Sequence, residues 1–144
     1  MSVDLFAGIC VADLPVAMAW YERLFGSPPT FVASDTEAVW ELAEHRSVFV
    51  EHPPEHAGHA LHTVFVDDLD ALVAGIADRG LEPARRETYA HGVRKVTYQD
   101  PEGNESGFGG APCRARTARA TSPPAADPPG PCRGAGHPTT PSRR

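Results

Sequence analysis

The sequence predicts an α+β fold of two tandem βαβββ modules, and the main sign of it is a repeated pattern. An apolar strand that ends in an Asp-Leu pair and leads into a helix occurs at residues 9–14 and again at 64–69, 55 residues later. Short strand candidates follow the helix in both copies. A pattern repeated at a fixed distance indicates a duplicated supersecondary unit. We therefore assign module one to residues 1–52 and module two to residues 59–110, within one domain of residues 1–112.

The two predicted helices have clear start and stop signals. Asp13 and Asp68 stand in the N-cap positions, and Pro15 lies in the first turn, where its missing N–H group would have no partner anyway. Gly26 and Gly80 end the helices. Residues at helical spacing are expected to face the core. These are Val16, Ala19, Trp20, Arg23 and Leu24 in the first helix, and Leu69, Leu72, Val73 and Ile76 in the second.

Three short strands are predicted after each helix. In module one they are Thr30–Ala33, Ala38–Leu42 and Ser47–Glu51. In module two they are Glu82–Arg86, Val93–Gln99 and Glu105–Phe108. Residues 100–104 read Asp-Pro-Glu-Gly-Asn, in which proline presets φ and the Gly-Asn pair tolerates a positive φ. This segment is expected to close a hairpin between the last two strands.

Composition excludes several classes of function. Of 13 basic and 19 acidic residues, six arginines and one aspartate lie in residues 113–144, which leaves a net charge of about −11 on residues 1–112. A domain this acidic is not expected to bind nucleic acid, because phosphate binding needs a concentrated basic surface. No apolar run approaches the roughly 18 residues of a membrane span. The first 15 residues lack the basic segment of a signal peptide, so we expect a cytoplasmic protein.

Residues 113–144 are expected to form a disordered tail. They contain seven prolines and no Phe, Trp, Tyr, Leu, Ile, Val or Met. Without large apolar side chains, burial cannot offset the entropy lost on ordering. We interpret the tail as a solvated extension, and its basic charge would also suit contact with the acidic domain.

The repeated strand–helix unit, the Ala-Trp-Tyr-Glu-Arg-Leu-Phe-Gly segment at 19–26 and the turn at 100–104 together resemble the vicinal oxygen chelate superfamily. That superfamily includes glyoxalase I, extradiol dioxygenases, fosfomycin-modifying enzymes and bleomycin-binding resistance proteins. The resemblance covers residues 4–110. It implies the glyoxalase/bleomycin resistance fold, with two sheets curled around a shared cavity, and it implies a homodimer.

The resemblance also implies where a metal ion would be held. Metal-dependent members use His or Glu at four strand positions, and a divalent cation needs three or four such groups. Three of these positions hold residues that cannot ligate a metal, namely Phe6, Leu61 and Gly107. The fourth falls near Ser47–Glu51, where Glu51 would serve. We therefore predict no metal and no other cofactor, although a one-residue slip of register would bring in His62, and Glu105 would replace Gly107 if its strand started differently.

With metal ligands absent, the cavity is predicted to be apolar and aromatic, which suits a planar or partly apolar small molecule. Its predicted lining is Phe6, Gly8, Cys10, Trp40, Leu61, Thr63, Phe65 and Tyr98. The same residues would also fit a simpler role as packing between the modules. Glu41, Glu44 and Glu51 would attract a cationic ligand or form a solvated acidic rim.

We expect from this a metal-independent protein that binds a small organic molecule, in a role such as drug sequestration or resistance. The alternative is a metal-dependent enzyme, a lyase of the glyoxalase type or a dioxygenase of the extradiol type, whose metal would hold two vicinal oxygens of the substrate. A structural or dimerisation module is the third hypothesis. The sequence contains no nucleophile elbow, P-loop or dinucleotide fingerprint, and we assign no catalytic residue.

Overall fold

The computed structural model of the protein describes residues 3–111. Its helices are α1 (Leu14–Phe25) and α2 (Leu69–Asp78). Its strands are β1 (Leu5–Cys10), β2 (Phe31–Ser34), β3 (Glu37–Ala43), β4 (Arg46–Glu51), β5 (Leu61–Val66), β6 (Arg85–Thr88), β7 (Arg94–Gln99) and β8 (Glu105–Gly110). Neither helix of residues 3–111 has the length and apolarity needed to cross a membrane. The tail predicted at 113–144 lies outside the described residues.

The strands form two four-stranded sheets of identical topology. Sheet 1 has the order β1-β4-β3-β2, and sheet 2 has the order β5-β8-β7-β6. In each sheet the first strand of the module pairs in parallel with its last strand, and the other pairs are antiparallel. The predicted α+β fold of two βαβββ modules is therefore confirmed. Strands β1 and β5 each keep one edge without a neighbouring strand in their sheet.

Each sheet has one face covered by a helix and one open face. In β1, Ile9 is fully buried, and so is its register partner Val50 on β4. Both belong to the core that includes α1, so the even-numbered residues of β1 point to the other side. The parity is reversed in β5, where Val64 and Val66 pack against the core and the odd-numbered residues point away. We call these two sides the helix face and the open face of each sheet.

Both predicted N-caps are confirmed. The Asp13 carboxylate accepts a hydrogen bond of 3.1 Å from the N–H of Val16, and Asp68 accepts one of 3.0 Å from Ala71. Gly26 ends α1 in the left-handed conformation, at a φ of 78°. A glycine adopts this conformation without the steric cost that a Cβ atom would impose.

The core-facing stripe of α1 differs from the prediction, whereas that of α2 agrees with it. Val16 is 51% exposed, and the buried residues of α1 are Leu14, Ala17, Trp20, Tyr21 and Leu24. Tyr21 was missed because the predicted stripe was rotated around the helix, through positions 16, 19 and 23 in place of 14, 17 and 21. The Tyr21 hydroxyl donates a hydrogen bond of 2.9 Å to Asp100. A tyrosine whose hydroxyl has a partner is readily buried.

The predicted turn at residues 100–104 closes the β7–β8 hairpin and also joins the two modules. The Asn104 amide group donates to the Asp100 carboxylate at 2.8 Å and to the carbonyl oxygen of Cys10 in β1 at 3.0 Å. Its carbonyl oxygen accepts the N–H of Ala60 at 2.9 Å. Asn104 is 1% exposed; its hydrogen bond to Asp100 is buried and the other two are partly buried. We call this group, with Tyr21, the turn network.

Glu102 in the same turn braces the start of α1. Its carboxylate accepts hydrogen bonds from the backbone N–H groups of Ala12 at 2.7 Å and Asp13 at 2.9 Å. The first N–H groups of a helix have no partner inside the helix, and a negative charge there is favourable. Module two therefore supplies the group that completes the helix start of module one.

Candidate ligand-binding site

The open face of sheet 1 carries three of the predicted lining residues, Phe6, Gly8 and Cys10. Phe6 is 52% exposed. A Cβ atom on Gly8 would lie 2.6 Å from the ring of Phe49, so the glycine allows this ring to lie flat on the sheet. Phe49 is a lining residue that the sequence-based prediction missed. Its position opposite Gly8 in the register of β1 and β4 explains why a glycine stands there.

Acidic side chains share this face. Glu51 pairs in register with Cys10 on β1 and with Glu37 on β3, so all three residues point to the open side. Partial burial and the carboxylates of Glu51 and Glu55 raise the pKa of the Cys10 thiol. The thiol therefore stays protonated at neutral pH and is a poor nucleophile. The face combines aromatic area with negative charge.

The open face of sheet 2 carries the other predicted residues of β5. Leu61 and Phe65 are 66% and 72% exposed. A Cβ atom on Gly109 would lie 2.7 Å from the Phe65 ring, so here too an aromatic ring lies flat on a glycine. Thr63 stands between Leu61 and Phe65 on the same face. The two sheets thus present similar aromatic platforms.

Trp40 and Tyr98 do not belong to either open face, which corrects their sequence-based assignment. The register pairs Trp40 with Val48 and Tyr98 with Ser106, and all four residues lie on helix faces. Trp40 is 1% exposed and donates a hydrogen bond of 2.9 Å from Nε1 to the carbonyl oxygen of Ser27. The two aromatic residues are core residues.

A cleft of about 670 Å³ lies between the two modules. Leu5 and Ala7 of β1 line one side, and residues 62–66 of β5 line the other, so the cleft lies between the unpaired edges of the two sheets. Of the eight predicted lining residues, only Thr63 and Phe65 contact it. Within one chain, the six predicted residues other than Trp40 and Tyr98 therefore lie on two separate open faces.

The residues present do not fit a divalent metal ion. Of the four positions that the family resemblance assigns to metal ligands, Phe6, Leu61 and Gly107 cannot ligate, and only the position near Glu51 offers a carboxylate. His62 lies on the helix face of β5, and both oxygens of Glu105 accept hydrogen bonds of 2.8 Å from Arg85. In the part of the chain from 3 to 111, no three His, Cys, Asp or Glu side chains are grouped so as to hold a metal.

His62 is held as a neutral imidazole inside the cleft. Burial lowers the pKa of this side chain. Its Nε2 atom is buried and has no hydrogen-bond partner within residues 3–111. A charged imidazole at this place would lose its hydration without gaining an ion pair.

Because of His62, the free energy of unfolding should decrease as the pH is lowered. The unfolded chain takes up a proton near the ordinary histidine pKa of 6.5, whereas the folded chain resists it, so stability is lost as pH falls through about 6.5 and below. His62→Leu should weaken this loss, as measured by urea unfolding at pH 7.5 and 5.5. The exposed His59, replaced in the same way, is the matched control. An equal pH response in wild type and His62→Leu would contradict the burial argument.

The family model and the solved structures that match this chain point to the same superfamily. The model of the Glyoxalase/Bleomycin resistance protein/Dioxygenase superfamily matches residues 3–108. A glyoxalase/bleomycin resistance protein from Catenulispora acidiphila DSM 44928 is 54% identical, over 77% of this chain and 100% of that chain, with a TM-score of 0.75. No curated protein matches the sequence.

Two further solved structures share the fold. A bleomycin-binding protein in complex with bleomycin is 17% identical over 76% of this chain and 98% of that chain, with a TM-score of 0.61. Lactoylglutathione lyase from Agrobacterium tumefaciens is 19% identical over 76% and 94%, with a TM-score of 0.61. At these identities the similarity shows the fold alone, and the two proteins differ in what they do.

Proposed function

Because this chain belongs to the Glyoxalase/Bleomycin resistance protein/Dioxygenase superfamily, we propose that it binds a small organic molecule without a metal ion, in a sequestering or resistance role. The observation that carries the proposal is the pair of open faces. Each face presents an aromatic ring laid flat on a glycine, Phe49 on Gly8 and Phe65 on Gly109, where a planar apolar molecule would stack. The bleomycin-binding relative holds its ligand on the same fold.

The binding site of this proposal needs two copies of the chain. Phe6, Leu61 and Phe65 are more than half exposed in one copy of the chain. Large apolar side chains exposed together on one protein often mark an interaction site. A homodimer would place the open face of sheet 1 from one copy against that of sheet 2 from the other. The unpaired edges of β1 and β5 provide backbone groups for this contact.

Charge disfavours the pairing of two copies of sheet 1. Its open face contains Glu37 and Glu51, whereas on that of sheet 2 the cations Arg85 and Lys95 lie beside Glu87 and Glu105. Like charges repel each other, so the acidic face of sheet 1 fits the mixed face of sheet 2 better than it fits a second copy of itself. A cavity between the two faces would have one acidic wall and one wall of mixed charge around an apolar interior.

Sedimentation equilibrium tests the dimer. We expect wild type to sediment as a dimer and Phe65→Glu to sediment as a monomer, because a buried unpaired charge is costly. Val16→Glu is the matched control, since Val16 on α1 is also about half exposed but lies away from the open faces. A wild-type monomer at all concentrations would refute the paired cavity.

Thermal unfolding in the presence of diverse aromatic and cationic compounds tests ligand binding. A compound present at 100 times its Kd stabilises the folded state by about 2.7 kcal/mol, which is a rise of several degrees in Tm. The rise should disappear in Phe6→Ala and persist in Val16→Ala. Failure of every compound in a broad panel would count against the proposal.

The metal-dependent alternative is favoured by one observation, the carboxylate of Glu51 on an open face at the fourth ligand position. Elemental analysis after purification without chelators decides between the two. Stoichiometric nickel, zinc, manganese or iron that is lost in Glu51→Ala would favour a lyase or dioxygenase. We expect the purified protein to contain no such metal.

A further inference from the structure

Lys95 is the only lysine in the sequence, beside twelve arginines. It lies on β7 with Glu87 and Gly109 as its register partners, so its side chain points to the open face of sheet 2. Lysine differs from arginine in that it presents a compact ammonium group on a flexible stem. A chain that uses arginine everywhere else has its single ammonium group on the face proposed to meet a ligand.

The Lys95 stem lies across the sheet towards β5. A Cβ atom on Gly107 would lie 2.7 Å from Lys95 Cε and 2.8 Å from Thr63 Oγ1. Any side chain at position 107 would therefore displace the lysine stem or the threonine hydroxyl. The glycine leaves room for Lys95 Cε and the Thr63 hydroxyl to lie together, two residues along the strand from the Phe65 ring on Gly109.

The ammonium group of Lys95 forms no close ion pair in residues 3–111, although its charge contributes to the lowered pKa of Glu105. No carboxylate lies within 4 Å of it. Glu105 is engaged by Arg85 through two hydrogen bonds of 2.8 Å, which lower the pKa of its carboxyl group. Glu87 is the register partner of Lys95 and points to the same face, but it forms no ion pair with Lys95 within 4 Å.

A second polar group beneath this site is also unsatisfied. Thr97 lies opposite Gly107 in the register and is 0% exposed. Its Oγ1 atom has no hydrogen-bond partner within the described residues. Buried hydroxyls nearly always have a partner, so this hydroxyl is left free to pair with a water molecule or with a ligand atom. Thr97 and Thr63 flank Gly107 on neighbouring strands.

We propose that Lys95, with the hydroxyls of Thr63 and Thr97, binds an oxyanion of the ligand, a carboxylate or a phosphonate, while the apolar body of the ligand lies on Phe65. This inference rests on the proposed function and narrows its ligand class to molecules with an acidic group next to an aromatic or apolar body. Gly107 stands where the metal-dependent relatives hold their last metal ligand. In this chain the positive charge at that place comes from Lys95.

Fluorine NMR on the full-length protein tests the inference with three probes that share a fluorophenyl ring and differ in the polar group opposite the fluorine. These are 4-fluorobenzoate, 4-fluorophenylphosphonate and the neutral 4-fluorobenzamide. We expect at least one of the two anions to bind wild type about tenfold or more tightly than the amide, because a charge-assisted hydrogen bond is lost with the amide. The anion that binds better identifies carboxylate or phosphonate as the preferred group.

The variants make the result specific to Lys95. Lys95→Met should remove the preference for the anion and leave binding of the amide unchanged, and Lys95→Arg should restore part of the preference. Arg23→Met on the exposed side of α1 removes a charge elsewhere and should change nothing.

Two results would overturn the inference. If the amide binds as well as the anions, or if Arg23→Met weakens anion binding as much as Lys95→Met, Lys95 has no specific role, although the proposed function stands. If none of the probes binds and the thermal screen also fails, the proposed function falls together with the inference.

Discussion

Replacement of Asn104 by alanine is expected to lower the free energy of unfolding by about 3 kcal/mol or more. The substitution removes one buried and two partly buried hydrogen bonds, and it leaves the Asp100 carboxylate, the Cys10 carbonyl oxygen and the Ala60 N–H without this partner. Each buried polar group that loses its partner costs about 1–3 kcal/mol. Chemical denaturation with urea, monitored by fluorescence, measures the loss.

Gln99→Ala is the matched control for this experiment. Gln99 is also an amide residue at the β7–β8 hairpin, but it is exposed, and its side chain donates a weak hydrogen bond of 3.5 Å to the Gly103 carbonyl oxygen within the same turn. Its loss should change the stability by no more than about 0.5 kcal/mol. Similar effects of the two substitutions would mean that the turn network does not hold the modules together.

Trp40→Ala should destabilise the protein by about 3–5 kcal/mol, the range typical of a buried aromatic side chain reduced to alanine. Trp40 is 1% exposed, and its ring centroid lies 5.7 Å from that of Phe25 and 6.2 Å from that of Tyr21. The substitution leaves a cavity against α1 and removes the hydrogen bond to the Ser27 carbonyl oxygen. Thermal or urea unfolding provides the measurement.

Two further variants separate the core role of Trp40 from a ligand role. Trp40→Phe keeps most of the volume and should cost clearly less than alanine. Phe31→Ala removes an aromatic ring that is 49% exposed and should cost about 1 kcal/mol or less. If Trp40→Ala lowered the free energy of unfolding no more than Phe31→Ala does, Trp40 would not be a core residue and would again be a candidate for ligand contact.

The fold could be predicted from the sequence because local signals and the duplication agree. Asp13 and Asp68 cap the helices as predicted, and residues 100–104 close the last hairpin. The shift of β6 to Arg85–Thr88, from the predicted Glu82–Arg86, is a difference of three residues in a segment with few apolar positions. Helix caps and turns depend mainly on residues that are near one another in the sequence, so a single sequence is enough to predict them.

The candidate site was harder to predict because the faces of some strands are not marked by alternation. In β3, Ala38, Val39 and Trp40 are consecutive apolar residues, and all are buried. In β7, Val96 and Tyr98 face the helices, yet Thr97 between them is equally buried. An alternating pattern identifies a face only when the other face is polar. Trp40 and Tyr98 were misplaced for this reason.

Better signals were present in the glycines. Gly8, Gly107 and Gly109 all lie on open faces, and each leaves room for the side chain of a neighbouring strand. A glycine inside a strand often marks such a close approach. Together with the single lysine, this pattern would have drawn attention to Phe49 and Lys95 before any coordinates.

The carboxylate of Glu102 at the start of α1 shows that the duplicated halves have become unlike parts. The corresponding turn of module one is short, and its Glu44 lies 3.4 Å from the neighbouring His45 in place of reaching a helix. A symmetric protein made from two copies of module one would lack an acceptor for the N–H groups of Ala12 and Asp13. A designer who wishes to build a protein from module one alone would have to supply an acceptor for these two N–H groups, although Asp13 already caps the helix.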